Sequence, residues 1–428
     1  MKTGSWAKKT VLAVALVAAA AIPGCSGFWD PPPSTGSGSG SSGNNPASGV
    51  FYVINQRTMQ IAGYSFAAST TTPTAVSGSP YTLAAVPYSL AIDPTGSFLY
   101  VGTAAGIYVY TIGSGALTIA NSGQPISTDP AYAMQVDSTG GWLVEAASGA
   151  GVLNAVAISS STGLLDTSRG TDGIASVALT SASSVNGIAL SPSGSSSPYA
   201  FVAMGTGGTA IIPFTASSKT SPFGSVSTIK VKNSPGGDNA VAVDPSNRLL
   251  YVGETVALSS TQSGGLRVFP ITSSGTGAEI SGSPYSTGGT GPSSILATAT
   301  AVYISNSAVS GKSSGNISGF TVAGSGTYTL TAINTISAGA QTSGIAEDGT
   351  GAYLLAVNYG GNPDLSAFTF DSTTTGQLDS GPTSTTGTDP VGAWAIVAVP
   401  GSGASASSEP SDRNSVSKRN TLRAALEH

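Results

Sequence analysis

The chain has 428 residues, and only 8% of them are charged, against about 25% in an ordinary soluble domain. Its 57 glycines exclude a coiled coil, which needs Lys, Glu and Leu at helical spacing, and its 40% hydrophobic content excludes simple disorder. The net charge of −5 excludes the basic surface with which proteins bind nucleic acid. The composition therefore predicts a turn-rich, all-β protein whose surface is made of Ser, Thr and Gly.

Residues 1–24 have the features of a targeting segment. Three lysines precede an unbroken apolar run at 11–22, which is shorter than the roughly 20 residues that span a bilayer. The run ends in Ile22-Pro23-Gly24-Cys25, which resembles a lipobox, and Cys25 is the only cysteine of the chain. We predict an exported protein on the periplasmic or cell-surface side, anchored to a membrane by acyl chains on Cys25. The alternative is an ordinary signal peptide followed by a chance cysteine.

Two further shifts in composition delimit the folded part. Residues 25–49 are rich in Gly, Ser and Pro, and such sequence behaves as a flexible tether. Residues 401–428 form a polar, charged tail for which we predict disorder. The segment 50–400 is therefore predicted to hold the folded domain.

Within this segment, one pattern recurs seven times at intervals of about 50 residues. A small apolar strand leads into a tight turn and then into a larger strand, as in residues 90–102 and 241–253. In the turn, Pro presets φ and an aspartate such as Asp93 or Asp244 accepts backbone N–H groups. A third strand, usually ending on an aromatic residue, and a less regular fourth strand follow. Seven units of four antiparallel strands predict a seven-bladed β-propeller.

The chain enters this pattern one strand out of phase. The first strand of the folded part, near Tyr52, has the character of a second strand, and the last, near Trp394, has that of a first strand. We expect the two to pair and to complete one shared blade, because a ring closed in this way leaves no blade interface unpaired.

Residues that carry common catalytic chemistry are scarce. The only histidine is His428, at the C-terminus, so we expect neither a Ser-His-Asp triad nor a histidine proton shuttle in the propeller. Cys25 belongs to the anchor, and no glycine-rich stretch has the strand-to-helix context of a phosphate loop. The sequence predicts a monomer without metal, cofactor or nucleic acid, whose partners are the membrane and an unidentified envelope ligand or protein.

Five carboxylates are predicted on one face of the ring, around the mouth of the central channel. Loops that enter first strands and loops that leave second strands meet on this face. The five are Asp129, Asp238 and Asp389 before first strands, and Glu145 and Glu254 after second strands. In a charge-poor protein they would favour a cation or a cationic ligand. The alternative is a set of scattered, solvated loop carboxylates.

The repeated Asp-Pro-x-Gly-x-x-Leu-Tyr-Val pattern, with third strands closed by Phe, resembles the seven-bladed lactonases of the 6-phosphogluconolactonase type and the related YVTN-type surface propellers. The resemblance covers about residues 50–400. The segment that ends in Glu254 is similar to the lactonase segment that carries a Glu, which makes this residue the candidate for catalysis. The lactonases also present His and Arg at neighbouring first-strand entrances, where the matching positions of this chain look like Asn186, and Asn239 with Ala240.

Two functions are consistent with these residues. The first is a lipid-anchored, non-catalytic propeller that binds or organises components of the cell envelope, because one acid without a base and an oxyanion-stabilising cation loses most of its catalytic power. The alternative is a lactonase-like hydrolase that acts on a sugar lactone. Arg248 is predicted on the face opposite Glu254, and Arg267 is predicted to point to solvent or to an interblade contact, so neither is expected to stabilise charge at the channel mouth.

Overall fold

The computed structural model describes residues 49–66, 72–146, 151–232, 235–255, 264–309, 311–380 and 391–401. These residues form seven antiparallel sheets, the blades of a propeller, as the sequence predicts. Blade 1 contains β1 (Val50–Asn55), β2 (Gln60–Ser65), β3 (Thr74–Ala75), β4 (Tyr81–Thr82) and the last strand of the described chain, β30 (Ala393–Ala398). Blade 2 contains β5 (Pro87–Ile92), β6 (Phe98–Thr103), β7 (Gly106–Gly113) and β8 (Ala116–Ile119).

The next blades follow in chain order. A short 3-10 helix at Asn121–Gly123 leads into blade 3, with β9 (Met134–Val136), β10 (Trp142–Ala146), β11 (Val152–Ala157) and β12 (Ile174–Ala178). Blade 4 contains β13 (Gly187–Leu190), β14 (Tyr199–Ala203), β15 (Thr209–Pro213) and β16 (Ser227–Ile229). Blade 5 contains β17 (Asp238–Val243), β18 (Leu249–Thr255), β19 (Gly264–Thr272), β20 (Gly275–Thr276) and β21 (Tyr285–Ser286).

Blades 6 and 7 complete the ring. Blade 6 contains β22 (Thr290–Ala297), β23 (Ala301–Ala308), β24 (Asn316–Ala323) and β25 (Thr329–Ser337). Blade 7 contains β26 (Ala340–Glu347), β27 (Tyr353–Gly361), β28 (Leu365–Phe370) and β29 (Leu378–Ser380).

The aspartates of the repeated turns act as predicted from the sequence. The Oδ1 atom of Asp93 accepts hydrogen bonds from the backbone N–H groups of Ser97 and Phe98, at 2.7 and 2.6 Å. Asp137 and Asp348 make the equivalent pair of bonds in blades 3 and 7. Each carboxylate satisfies N–H groups that the tight turn leaves without a ladder partner, so it fixes the point at which the second strand begins.

The ring closes through blade 1. β30 pairs antiparallel with β1, from Phe51 opposite Ala398 to Asn55 opposite Ala393. This register confirms that the chain's first and last described strands share one blade. The pairing joins strands that are more than 300 residues apart in the chain. Every blade, including blade 1, therefore has an inner strand that packs against its neighbours.

The hydrophobic core lies between blades. Seven buried clusters are found among the described residues, and each combines side chains of neighbouring blades. The repeated tyrosine of the second strand also bonds across this interface. The hydroxyls of Tyr52, Tyr100 and Tyr303 donate to carbonyls of the next blade at 2.7, 3.1 and 2.8 Å. A tyrosine suits this position because its ring fills the core while its hydroxyl reaches a polar partner.

Some predictions concern residues that the structure does not describe. Cys25, nearly all of the tether, the tail beyond residue 401 and Asp389 lie outside the described residues. Among the residues that are described, no helix has the length and apolar character needed to cross a membrane.

Candidate functional site

One face of the propeller surrounds the channel where first strands begin and second strands end; we call it the mouth. In blade 5, Asp238 at the start of β17 lies opposite Glu254 near the end of β18 in the strand ladder. This pairing places both residues on the face predicted from the sequence. The turns between first and second strands lie on the opposite face.

One equivalent position per blade, at the entrance of the first strand, forms what we call the mouth ring. From blade 1 to blade 7 it is occupied by Trp394, Tyr88, Tyr132, Asn186, Asn239, Ser293 and Ser343. Several of these side chains reach toward the next blade. Trp394 Nε1 donates to the Tyr88 carbonyl at 3.0 Å, and Ser343 Oγ donates to the Ala393 carbonyl at 2.9 Å. The mouth ring therefore links neighbouring blades as well as surrounding the channel.

Three consecutive members of the mouth ring are aromatic, and we call them the aromatic arc: Trp394, Tyr88 and Tyr132. The two tyrosine rings are stacked with centroids 4.6 Å apart, and both are only partly buried. Tyr359 packs edge-on against Trp394 at 5.7 Å, and the guanidinium of Arg57 lies 5.7 Å from the Tyr359 centroid. Blades 1 to 3 thus give the mouth an apolar, aromatic side.

The next two members of the mouth ring are amides. Asn186 and Asn239 are only 3% and 6% exposed. Asn186 Nδ2 donates to the Asp238 carbonyl at 3.1 Å and to Asn239 Oδ1 at 3.2 Å. Within the described part of the chain, Asn186 Oδ1 and Asn239 Nδ2 have no hydrogen-bond partner. One acceptor and one donor at adjacent positions of the ring therefore lack hydrogen-bond partners. Buried polar groups without a partner are uncommon in proteins.

Glu254, the candidate for catalysis, is held in a buried network of charges. Its Oε1 accepts from the Lys232 backbone N–H at 2.8 Å, and its Oε2 lies 2.7 Å from Arg267 Nη1. Arg267 also donates to the Lys230 carbonyl at 2.9 Å and lies 3.4 Å from Glu279. Because Lys230 and Lys232 belong to the segment that leads from blade 4 to blade 5, the network connects the two blades. Arg267 thus makes the interblade contact and does not point to solvent.

Asp238 lies beside this network and is also fully buried. Its Oδ2 accepts from the Thr209 hydroxyl at 2.5 Å. Burial, together with the charge of the neighbouring Glu254, raises the pKa of Asp238 to about 7, although the Thr209 hydrogen bond and Arg267 oppose the increase. A carboxyl with a pKa in this range can bind and release a proton near neutral pH.

The other predicted acids are separate from this pair. Glu145 is fully buried within β10 of blade 3, where its Oε1 accepts from Asn154 Nδ2 at 2.8 Å. Asn154 Oδ1 in turn accepts from Ser176 Oγ at 2.6 Å. Asp129 is exposed in the loop before β9. Glu145 is therefore not a solvated loop carboxylate. It lies within β10, because this second strand continues past the position where the sequence predicted a loop.

The structure brings Asp238 and Glu254 together and keeps Glu145 in another blade. Among the described residues, no group of three or more His, Cys, Asp and Glu side chains is arranged to hold a metal ion. A role for these acids in ligand binding stays a prediction.

The mouth ring and the contact between Arg267 and Glu254 were not predicted from the sequence. A signal for each is present in the repeats. The ring residues occupy one equivalent position in every copy. Arg267 faces Val252, two residues before Glu254, and residues two apart in a strand project to the same side.

Three solved structures illustrate the similarity of the fold. The periplasmic gluconolactonase of Pseudomonas aeruginosa has a TM-score of 0.60 at 15% identity, over 83% of this chain and 100% of that chain. A Bacteroides uniformis protein described as a candidate 6-phosphogluconolactonase has a TM-score of 0.58 at 14% identity, over 78% and 95%. A Desulfotomaculum acetoxidans protein of unknown function has a TM-score of 0.55 at 14% identity, over 82% and 100%. No protein-family model and no curated protein sequence matches the chain. At these identities the likeness shows the fold alone.

Proposed function

We propose that this protein is a lipid-anchored propeller of the cell envelope that binds a ligand at its mouth and does not hydrolyse it. One observation carries the proposal. Glu254, the residue that resembles the lactonase Glu, is 0% exposed, and both of its carboxylate oxygens already have partners, the Lys232 N–H and Arg267. A carboxylate held in this way is poorly suited to activating a water molecule for attack on a substrate.

The remaining parts of a lactonase mechanism have no counterpart at the mouth ring. Hydrolysis of a lactone requires a donor for the negative charge that develops on the carbonyl oxygen. The positions at which the lactonases present His and Arg hold Asn186 and Asn239 here. Arg267 is committed to Glu254, Glu279 and the Lys230 carbonyl. Binding without chemistry is therefore the simpler function for this site.

The composition of the mouth ring indicates the class of ligand. The aromatic arc supplies apolar surface, and the amide pair supplies one acceptor, Asn186 Oδ1, and one donor, Asn239 Nδ2. A hydroxyl group both donates and accepts, so two neighbouring hydroxyls would satisfy these buried atoms once the two amide side chains turn toward the channel. A site with aromatic walls and a few convergent polar groups is typical of small-molecule binding. We therefore propose a polyhydroxylated ligand such as a saccharide.

The position of the chain ends supports attachment through the tether. The described chain begins at Gly49 and Val50 and ends after Val399, and the Val399 N–H donates to the Val50 carbonyl at 2.8 Å. Both ends lie on the face opposite the mouth, because β1 begins there and β30 ends there. A tether that runs from a lipidated Cys25 to residue 49 would leave the mouth accessible to a ligand.

The proposal is tested with the full-length protein in detergent. We expect saccharide binding in isothermal titration against envelope-derived oligosaccharides, and a loss of about tenfold or more in affinity for Tyr132→Ala and for the double variant Asn186→Ala/Asn239→Ala. Ser246→Ala, an exposed residue on the opposite face, is the matched control and should bind normally. Equal affinities for the mouth variants and the control would contradict a binding site at the mouth.

A lactonase-like hydrolase is the second candidate, and one observation favours it. The raised pKa of Asp238 resembles that of a group which exchanges protons in catalysis. This function requires hydrolysis of glucono-1,5-lactone or 6-phosphogluconolactone with a turnover of about 1 s⁻¹ or more. It also requires that Glu254→Gln and Asp238→Asn abolish the activity while the melting temperature remains measurable. We expect no hydrolysis above the uncatalysed rate.

A further inference from the structure

The turns between first and second strands differ in length on the face opposite the mouth. In blade 5 the turn connects Val243 to its ladder partner Leu250, whereas in blade 6 it connects Ala297 to Val302. The turn of blade 6 is therefore two residues shorter, and Thr298 stands where the turn aspartate lies in other blades. Its hydroxyl accepts from the Ala301 N–H at 3.1 Å, which closes the short turn.

A cavity of about 370 Å³ lies where the short turn of blade 6 meets its neighbours. It is bounded by the turns of blades 5, 6 and 7 and by the outer hairpin of blade 7. The residues that matter for its chemistry are Pro245, Thr298, Thr300, Tyr303, Glu347 and Phe370. Its volume falls at the lower end of the range of about 300 to 1,000 Å³ that is typical of small-molecule sites.

The lining combines one negative charge with aromatic surface. Glu347 is the only charged residue among the described residues that line the cavity, and its side chain is partly exposed. Tyr303 and Phe370 lie with ring centroids 5.9 Å apart, and Phe370 is partly exposed. A carboxylate attracts a cation, and an aromatic ring stabilises a cation that lies over its face.

We infer that this cavity binds an alkylammonium group. The Glu347 carboxylate pairs with the positive charge, while Phe370 and Pro245 contact the carbon atoms attached to the nitrogen. Such a group is presented by a soluble amine or by the headgroup of phosphatidylethanolamine. A membrane would present the headgroup to this cavity, because the cavity lies on the face where the described chain begins and ends. The inference does not depend on the function proposed for the mouth.

Isothermal titration of the full-length protein with choline and with its uncharged isostere, 3,3-dimethylbutan-1-ol, tests the charge requirement. We expect choline to bind with a Kd on the order of 1 mM or tighter, and the isostere to bind at least about tenfold more weakly. Glu347→Gln should remove the preference for choline. Asp172→Asn, which removes an exposed carboxylate of blade 3, should retain it. Undetectable choline binding, equal binding of the two probes, or an unchanged preference in Glu347→Gln would each overturn the inference.

A second variant keeps the test valid if Glu347→Gln fails to fold. Ala299 is exposed in the short turn and lines the cavity, so Ala299→Phe should fill the space without removing charge. We expect it to reduce choline affinity about tenfold or more while the melting temperature stays near that of the wild type. Wild-type affinity in this variant would show that choline binds elsewhere.

The source of the alkylammonium group is resolved by comparing ethanolamine with dihexanoyl phosphatidylethanolamine. Tighter binding of the phospholipid, and none of dihexanoyl phosphatidylglycerol, would identify a lipid headgroup site. Equal affinity for ethanolamine and the phospholipid would identify a soluble amine site. Equal affinity for the two phospholipids, together with no binding of ethanolamine, would reject both sources and would overturn the inference.

Discussion

Blade 5 contains two ion pairs that have the same nitrogen–oxygen distance but differ in their exposure to solvent. Arg267 and Glu254 are 2.7 Å apart, with side chains 6% and 0% exposed. Arg248 and Asp244 are also 2.7 Å apart, but the arginine side chain is 35% exposed. Water screens the second pair and cannot reach the first, so breaking the buried pair leaves an uncompensated charge inside the protein. The two arginines therefore form a matched pair for mutation.

We expect Arg267→Met to lower the free energy of unfolding by about 3 to 5 kcal/mol, because Glu254 loses its cation within the protein. Arg248→Met should cost about 1 kcal/mol or less, because its pair is partly exposed. Urea denaturation followed by tryptophan fluorescence measures both values. Losses of similar size in the two variants would contradict the assignment of Glu254 to a buried structural network.

The raised pKa of Asp238 predicts how stability depends on pH. The folded state holds the Asp238 proton up to a pH of about 7, whereas the unfolded chain releases it near the ordinary value of 3.8. The contribution of Asp238 is therefore complete below pH 4 and is lost as the pH rises toward 7. Asp238→Asn imitates the protonated carboxyl, so its stability relative to wild type should increase by about 1 kcal/mol or more between pH 5 and 8. Denaturation curves at several pH values measure this difference, and a constant difference would argue against a proton on Asp238.

Among the strands, β30 is especially important for the stability of the ring, although it has only six residues. It supplies the inner strand of blade 1, and Trp394 within it contributes to the core between blades 1 and 2 and bonds to the Tyr88 carbonyl. Its removal would expose the edge of β1 and uncover two blade interfaces, of blade 1 with blades 2 and 7. Exposed edges of this kind lead to strand pairing between molecules.

Deletion of residues 391–400 should therefore lower the melting temperature or cause aggregation, as measured by circular dichroism and light scattering. Deletion of 406–428, which lie outside the described residues, should change the melting temperature by no more than about 1 °C, which corresponds to less than about 1 kcal/mol for a domain of this size. Equal behaviour of the two truncations would refute the role of β30 in closing the ring.

At the scale of the whole molecule, the two faces of the propeller have different surroundings. The mouth carries the aromatic arc and the amide pair, whereas the opposite face carries the described ends of the chain and the Glu347 cavity. A protein tethered near Val50 would hold the opposite face nearer to a membrane and the mouth farther from it. The proposed tether would therefore leave the mouth accessible to its ligand and place the cavity on the side that faces the membrane.

The anchor itself is tested by Cys25→Ser. Because Cys25 is the only thiol of the chain, the variant should lose incorporation of labelled fatty acid and move from the membrane to the soluble fraction. Ser26→Ala, the control, should remain acylated, and both proteins should retain the β-sheet circular dichroism of the wild type. Wild-type membrane retention and labelling in Cys25→Ser would defeat the lipoprotein assignment.

The sequence by itself determined the architecture of the propeller. The Asp-Pro turns at Asp93 and Asp244, the spacing of the repeats and the out-of-phase start near Tyr52 were sufficient, because turn chemistry and strand alternation act over a few residues and recur in every blade. The mouth as a face was also predictable, since it follows from strand direction.

Only the tertiary structure decided which side chains meet. Glu254 accepts hydrogen bonds from Arg267 in the next strand and from the Lys232 N–H in the segment that leads from blade 4. In the mouth ring, Asn186 of blade 4 bonds to Asn239 of blade 5. The cavity near Glu347 likewise needs three blades. Burial and partner choice depend on how neighbouring blades pack, and local sequence patterns do not encode the contacts between residues that are distant in the chain.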